Sequence, residues 1–332
     1  MQPTDVNKIK ISVIICSNKR KEYIIQAAMS ANNQTMPRDE YEIIIVKNFK
    51  DNLIDDELRK LSNSVINVDS EWQGEKWWTG IIEAKGKVLC FLDDDDLFSA
   101  AKLKTVWENY SKFKFQYYRD NIKPFKYVPL DYSSQEHQGI LNLNKGFSIP
   151  KKIRLISKNI SRTSSSGVSV EKDFLLKFES GIRKVKIAFD VFIFYAALEN
   201  NSQIILDRNV MTYYRLHDSY TGISENNFIE SAGKISKSLN VFSDDYCNIG
   251  LFVKNKALRH YLVNDLFLLS FSKYLFLHDG KPGIRDVIHF VFCPSPGRKR
   301  FKLFYLVLYF VSFFSIEKAK RMYVKYISLS RM

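Results

Sequence analysis

The 332-residue chain is poor in cysteine, and its four cysteines, Cys16, Cys90, Cys247 and Cys293, stand at neither CxxC nor zinc-ligand spacing. That scatter excludes a disulfide framework and a thiolate metal centre, and the four read as reduced core residues of a cytosolic protein. No basic segment followed by an apolar core precedes the first apolar stretch at Ile11, so no signal peptide is expected and the protein is expected not to be secreted. The segment after that stretch, SNKRKEY, has no glycine and therefore no Gly-rich phosphate loop. Long apolar runs are missing too: the uncharged run Leu303 to Ile316 has 14 residues, short of the ~20 that cross a bilayer. Acids are in deficit, 36 against 50 Lys or Arg, and the deficit is local: residues 281–332 carry eleven basic residues and only Asp286 and Glu317 as acids. The basic residues interleave with aliphatic and aromatic runs and match no nucleic-acid recognition motif, so no nucleic-acid partner is expected.

What is present is a folded protein with about two domains by length. Its organising stretch is Lys87 to Phe98, where Val88, Leu89, Cys90, Phe91 and Leu92 stop at Asp93, Asp94, Asp95 and Asp96. Five apolar residues between Gly86 and a charge cluster read as a buried parallel strand with the acids at its C-terminal end, where open α/β sheets bind ligands. Four adjacent carboxylates repel one another, and an all-oxygen set suits a hard divalent cation, Mg2+ or Mn2+. The alternative is a solvated turn with Asp96 or Ser99 capping a helix that begins near Ala100. Upstream, Ile9 to Cys16, Tyr41 to Val46 and Val65 to Val68 read as strands, and the spacing of Tyr23, Ile24, Ala27, Ala28 and Ala31 predicts a helix after the first. Strands alternating with helices imply a doubly wound parallel sheet.

ISVIICSNKR, a helix ending SANNQT, YEIIIV, a glycine-bearing helix and AKGKVLCFLDDDD, in that order, resemble glycosyltransferase family 2, closely over residues 9–110 and with weaker echoes to about residue 222. The resemblance implies an α/β protein of GT-A fold: a Rossmann-like, mostly parallel sheet with flanking helices, here followed by an α-helical C-terminal region. It implies that the acids are the DXD motif, with Asp93 and Asp95 on the metal, although four consecutive aspartates leave the register open by one and Asp93 can serve the ribose instead. A cation there acts as the Lewis acid that neutralises a leaving nucleoside diphosphate. Ser17, Lys76 and Asp94 fall on the donor side. Where the family has acids after its second strand this chain has Lys47 and Asn48, read either as phosphate and base contacts or as a solvated loop. Trp77 and Trp78 replace small residues and read as core packing.

Ser164, Ser165, Ser166 and Gly167 before GVSV resemble the acceptor-side segment, with Ser165 and Ser166 as candidate contacts and a polar turn as the alternative. Asp190, the one charged residue between Ile187 and Leu198, takes the position of the family's catalytic base; a helix cap is the competing reading. YYRLHDSYTG resembles the R-x-H segment, with Arg215 on phosphate and His217 on the metal. His137 reads as a loop residue, and His260, His278 and His289 as structural.

From about Ser236 the pattern turns helical, giving an expected division into 1–235 and 236–332. Arg298, Lys299, Arg300 and Lys302 before the 14-residue run, and Lys318, Lys320, Arg321 and Lys325 after it, fit an interfacial helix on an anionic membrane better than a span; a buried core helix is the alternative. The reading is a metal-dependent, inverting transferase moving a sugar from a nucleotide donor to a glycan or lipid-linked acceptor, peripheral on the cytoplasmic membrane face. Its rivals are a non-catalytic GT-A-like membrane-binding protein and a sugar nucleotidyltransferase, the latter opposed by the missing glycine loop.

Overall fold

A computed structural model describes residues 8–126, 139–159, 164–216, 227–292 and 299–331. Three strands and three helices alternate first: β1 (Ile11–Ser17), α1 (Ile24–Asn32), β2 (Tyr41–Lys47), α2 (Asn52–Leu61), β3 (Ser64–Asn67) and α3 (Gln73–Glu83). Then come β4 (Val88–Asp93), the two-residue β5 (Leu97–Phe98), α4 (Lys102–Phe113), β6 (Tyr117–Phe125), β7 (Ile140–Leu143) and α5 (Ile149–Asn159). A 3-10 turn, Ser165–Gly167, leads into β8 (Val168–Glu171), α6 (Lys172–Leu175), α7 (Glu179–Ile182), α8 (Phe189–Glu199) and β9 (Ile204–Arg215). The remainder is helical: α9 (Phe228–Phe252), α10 (Lys256–Leu277), α11 (Ile284–Phe292), α12 (Lys299–Phe314) and α13 (Ile316–Arg331).

The strands form one sheet in the order β3-β2-β1-β4-β8-β6-β9-β5, with β7 also paired to β9. The β3-β2-β1-β4 half is parallel, and β1 and β2 are buried along their whole length, which explains their unbroken apolar sequences. One face of this half packs on α1, α2 and α4 through Val13, Ile15, Ile43, Ile45, Ala27, Leu58 and Val106. On α3, a Cβ at Gly80 would stand 2.4 Å from Ile14 Cγ2, so glycine there permits close approach of helix and strand.

The other half departs from the parallel expectation. β8 inserts antiparallel to both β4 and β6, and β5 runs antiparallel to β9. Antiparallel insertion brings the turn before β8 level with the end of β4, and the end of β9 level with the residues before β5.

The chain divides into two units, Met1–Ser148 with Asn159–Arg215, and Ile149–Lys158 with Leu216–Met332. The second has its own core, where Phe267, Phe271, Phe290, Tyr305, Leu308, Tyr309 and Tyr323 meet; Phe267 stacks on Phe290 at 4.4 Å. Asn255 caps α10 by accepting from the amides of Ala257 (3.0 Å) and Leu258 (3.3 Å). No described helix is long and apolar enough to cross a membrane. Cys16 and Cys90 are buried as expected, but Cys247 is exposed on α9, because it falls outside the apolar stripe of that helix. His137 and Cys293 lie outside the described residues.

Candidate active site

β4 ends at Asp93, and the amide of Asp96 turns back onto the Asp93 carbonyl at 3.2 Å. This tight turn sends the four acids to different partners. Asp94 points inward and accepts from the Ser17 hydroxyl and from Arg20, whose Nε lies 3.0 Å from Asp94 Oδ1. Asp96 is fully buried; it accepts from Ser166 Oγ at 2.6 Å, Ser164 Oγ at 3.3 Å and the Arg215 amide at 3.0 Å. Asp95 is more open, its side chain 15% exposed, and meets Arg20 Nη1 at 2.6 Å. The Asp93 amide donates to Ser166 Oγ at 3.0 Å, and its carboxylate takes a long 3.4 Å contact from Ser164.

These contacts do not neutralise the turn. Burial, followed by the charges of Asp96, Asp95, Asp94 and Asp190, pushes the Asp93 carboxyl well above the usual range. Burial also raises Asp94 against the pull of Arg20, and burial with Asp95 pushes Asp96 up to about 8.

Arg215 closes one side. β9 pairs with β5 so that Leu97 faces Tyr213, which brings Arg215 level with the acids. Its Nε donates to the Asp95 carbonyl at 2.8 Å and its Nη2 to Gln26 at 2.7 Å, and its guanidinium lies over Tyr23 and Phe125.

Asp190 is the second residue of α8. The N-cap position is Ala188, which has no capping side chain, so Asp190 stands inside the first turn, where the helix dipole favours a carboxylate. An aromatic triad fixes this helix start against β4: Phe189 stacks on Trp77 (5.1 Å between centroids, 16° between planes) and meets Phe91 edge-on at 4.9 Å. Phe91 precedes Asp93 by two residues on β4, so the triad ties the Asp190 backbone to the acid-bearing strand. Trp77 and Trp78 are thus core residues as read. Tyr117, unnoticed in the sequence, is buried, and burial pushes its phenol up to about 12, opposed first by the Arg119 charge and supported by the Asp190 charge.

Several expected contacts are used internally. Lys47 is fully buried, and its ammonium meets Asp55 Oδ1 (2.8 Å), Asn67 Oδ1 (2.8 Å) and the Phe49 carbonyl (2.5 Å), which leaves no donor for a phosphate. Asn48 joins the loops after β1 and β3, accepting from the Lys19 amide at 2.7 Å and donating to the Ser70 carbonyl at 3.1 Å. Lys76 is buried beneath Ser70 and Glu71, donating to both carbonyls at 3.2 Å, and burial lowers its pKa. Ser17 is taken up by Asp94. Ser166, expected on the acceptor side, is fully buried and binds the acids from behind; Ser165 is buried beside it. His217 lies outside the described residues.

Sequence reasoning missed Arg20, Gln26 and Arg119. Arg20 alone had a local signal, as a basic residue just after the first strand.

Among the described residues, no three His, Cys, Asp or Glu side chains converge as a ready-made metal site. The donor set nonetheless fits a hard cation that takes one or two carboxylates from protein and further oxygens from substrate phosphate and water. Asp94 and Asp96 are occupied by protein donors, while Asp93 and Asp95 alternate with them along the turn.

A Rossmann-like sheet with an acid turn at the end of its inner parallel strand, faced by a helix-borne carboxylate, defines a nucleotide-sugar-binding domain of GT-A type. Residues 12–171, just under half of the chain, match Glycosyl transferase family 2. A curated relative, the poly(ribitol-phosphate) beta-glucosyltransferase of Bacillus spizizenii, is 32% identical over 111 residues, 31% of this chain and 17% of that protein. The chain therefore spans a small part of that relative. Among solved structures, residues 1–349 of S. aureus TarS in complex with UDP-GlcNAc align over 95% of this chain and 89% of theirs, with TM-score 0.55 and 15% identity. The S. aureus TarS structure aligns over 85% of this chain and 50% of its own, with TM-score 0.50 and 17% identity.

Proposed function

We propose that this protein transfers a sugar from a nucleoside diphosphate to a hydroxyl of a glycan or lipid-linked acceptor, with inversion. The observation that carries the proposal is the packing of the start of α8 on β4: Phe189, the residue before Asp190, meets Phe91, two residues before Asp93, at 4.9 Å, and the Asp190 charge is among those that raise the Asp93 carboxyl. Asp93 and Asp95 hold Mg2+ or Mn2+; when bound, the cation neutralises charge developing on the leaving diphosphate. Asp190 accepts the proton of the acceptor hydroxyl as that oxygen attacks the anomeric carbon from the face opposite the leaving group. Arg20 and Arg215 bring positive charge to the same edge. The TarS complex with UDP-GlcNAc supports a uridine nucleotide-sugar as the first donor class to test.

The C-terminal helices make peripheral contact with an anionic membrane face. The exposed side chains described on α12 are Leu303, Val307, Phe310, Phe313 and Phe314, all apolar, and α11 adds Ile284, Ile288 and Phe292. A second copy of so basic a segment would be repelled, whereas anionic lipid is attracted. Calorimetry of UDP with Mn2+, followed by donor hydrolysis and transfer assays, tests the enzymatic reading. Absence of cation-dependent nucleotide binding in the wild-type chain would overturn it in favour of a non-catalytic protein.

A further inference from the structure

Behind the acid turn lies a fully buried ion pair with no part in the chemistry above. Lys102 Nζ stands 2.7 Å from Asp120 Oδ2, and neither side chain is exposed. The same ammonium donates to Thr212 Oγ1 at 2.7 Å and to the Ser166 carbonyl at 2.5 Å, and it sits 4.1 Å from the centroid of the Phe98 ring. The Thr212 hydroxyl donates to Asp120 Oδ1 at 2.7 Å. Five elements meet here: α4, β5, β6, β9 and the 3-10 turn before β8.

The arrangement is expensive for a purely structural one. Burying both charges costs roughly what their attraction returns, and apolar residues of similar volume are often as stable. Lys102 is also the first residue of α4, where the helix dipole disfavours a cation. What apolar packing lacks is a donor to the Ser166 carbonyl. Ser166 is one step from the acids, since its hydroxyl donates to Asp96 and accepts from the Asp93 amide. Mutual repulsion drives the four carboxylates apart, and Ser166 grips both ends of their turn at 3.0 and 2.6 Å, more closely than the 3.4 and 3.3 Å contacts of Ser164.

We propose that Lys102, with Asp120 and Thr212, is a positioning group that clamps Ser166 and through it holds the acid turn in the geometry a cation requires. Its catalytic consequence rests on the reading of Asp93 and Asp95 as cation-holding acids; the mechanical coupling does not.

Hydrogen–deuterium exchange of the metal-free, full-length protein tests the coupling directly. The charge-balanced pair Lys102→Met with Asp120→Asn is expected to raise exchange at residues 93–97 and 164–167 about tenfold or more, with residues 11–17 and 41–47 unchanged. Mn2+-dependent UDP binding should weaken about 10- to 100-fold, the usual effect of losing support behind a metal ligand. Should that pair not fold, Thr212→Val should raise exchange at the same two segments while Thr212→Ser, which keeps the hydroxyl, matches wild type. Wild-type exchange at the acid turn in the altered proteins, or an equal rise across the whole sheet, would overturn the proposal. If the wild-type chain binds no nucleotide with Mn2+, the transferase reading fails while the exchange result still judges the clamp.

Discussion

Trp77 stacks face to face on Phe189, and Phe189 is the residue immediately before Asp190. The placement of the proposed base thus depends on an aromatic contact made by its chain neighbour. Asp190→Asn keeps the shape and an acceptor oxygen in the first turn of α8 yet cannot take a proton. Nucleotide binding should be unchanged while turnover falls ~10²- to 10⁴-fold. A fall of less than about tenfold in single-turnover transfer would move the base elsewhere.

Trp77→Leu tests the stacking itself. Removing a fully buried indole should cost about 2–4 kcal/mol of stability, as large-to-small core changes do. Because the lost ring supports Asp190 more directly than the acids, kcat should drop while the calorimetric UDP affinity with Mn2+ changes little. An equal loss in both quantities would mean that the triad supports the whole edge of the sheet.

The acids should separate into two classes. Asp93→Asn and Asp95→Asn should abolish cation-dependent nucleotide binding; Asp93→Asn should do so without loss of melting temperature, because it removes one of several repelling charges, and Asp95→Asn at a small cost, because its pair with Arg20 is partly open to solvent. Asp94→Asn should act differently: it breaks a pair with Arg20 at a buried carboxylate and should destabilise the fold. Melting curves with and without Mn2+ check both. Retention of Mn2+-dependent affinity in both the Asp93 and Asp95 variants excludes them as cation-holding acids.

Asp96 gives the metal-free protein an unusual pH dependence. Its folded value of about 8 lies above the ~3.9 of an unfolded aspartate, so folding takes up a proton between those values. The stability it contributes is fully present below the unfolded value and is lost as pH rises through about 8. In EDTA the protein should therefore melt a few degrees higher at pH 6 than at pH 8, corresponding to about 2 kcal/mol. Asp96→Asn, which mimics the protonated acid, should reduce that difference, with the raised Asp93 carboxyl retaining its own share. A variant with the wild-type slope would assign the effect to other groups.

Flotation with vesicles checks the helical unit. The full chain should bind phosphatidylglycerol vesicles, more weakly at high salt, since each basic residue near the surface adds about 1 kcal/mol that salt screens. Phe310→Asp combined with Phe314→Asp should abolish binding and leave UDP affinity intact. If the wild-type chain ignores vesicles and is a dimer that this variant makes monomeric, the apolar face joins two copies instead.

The sequence alone determined the parallel half of the sheet, the acid turn, the helix that carries Asp190 and the helical C-terminal region. Each is written locally, as an unbroken apolar run, a charge cluster or a helical repeat within a dozen or so residues. It left the division of labour among the four aspartates open, and it left Lys47 open between a phosphate contact and a solvated loop and Ser166 between an acceptor contact and a polar turn; both side chains are buried and occupied inside the protein. Those assignments depend on contacts between distant segments: Ser166 reaches Asp96 across 70 residues and the Arg215 amide reaches it across 119. Only the antiparallel insertion of β8 between β4 and β6, and the pairing of β5 with the end of β9, bring those segments together. A strand's own sequence fixes which of its faces is apolar, but not which neighbour it pairs with or in which direction, and here that choice decides which donors surround each acid.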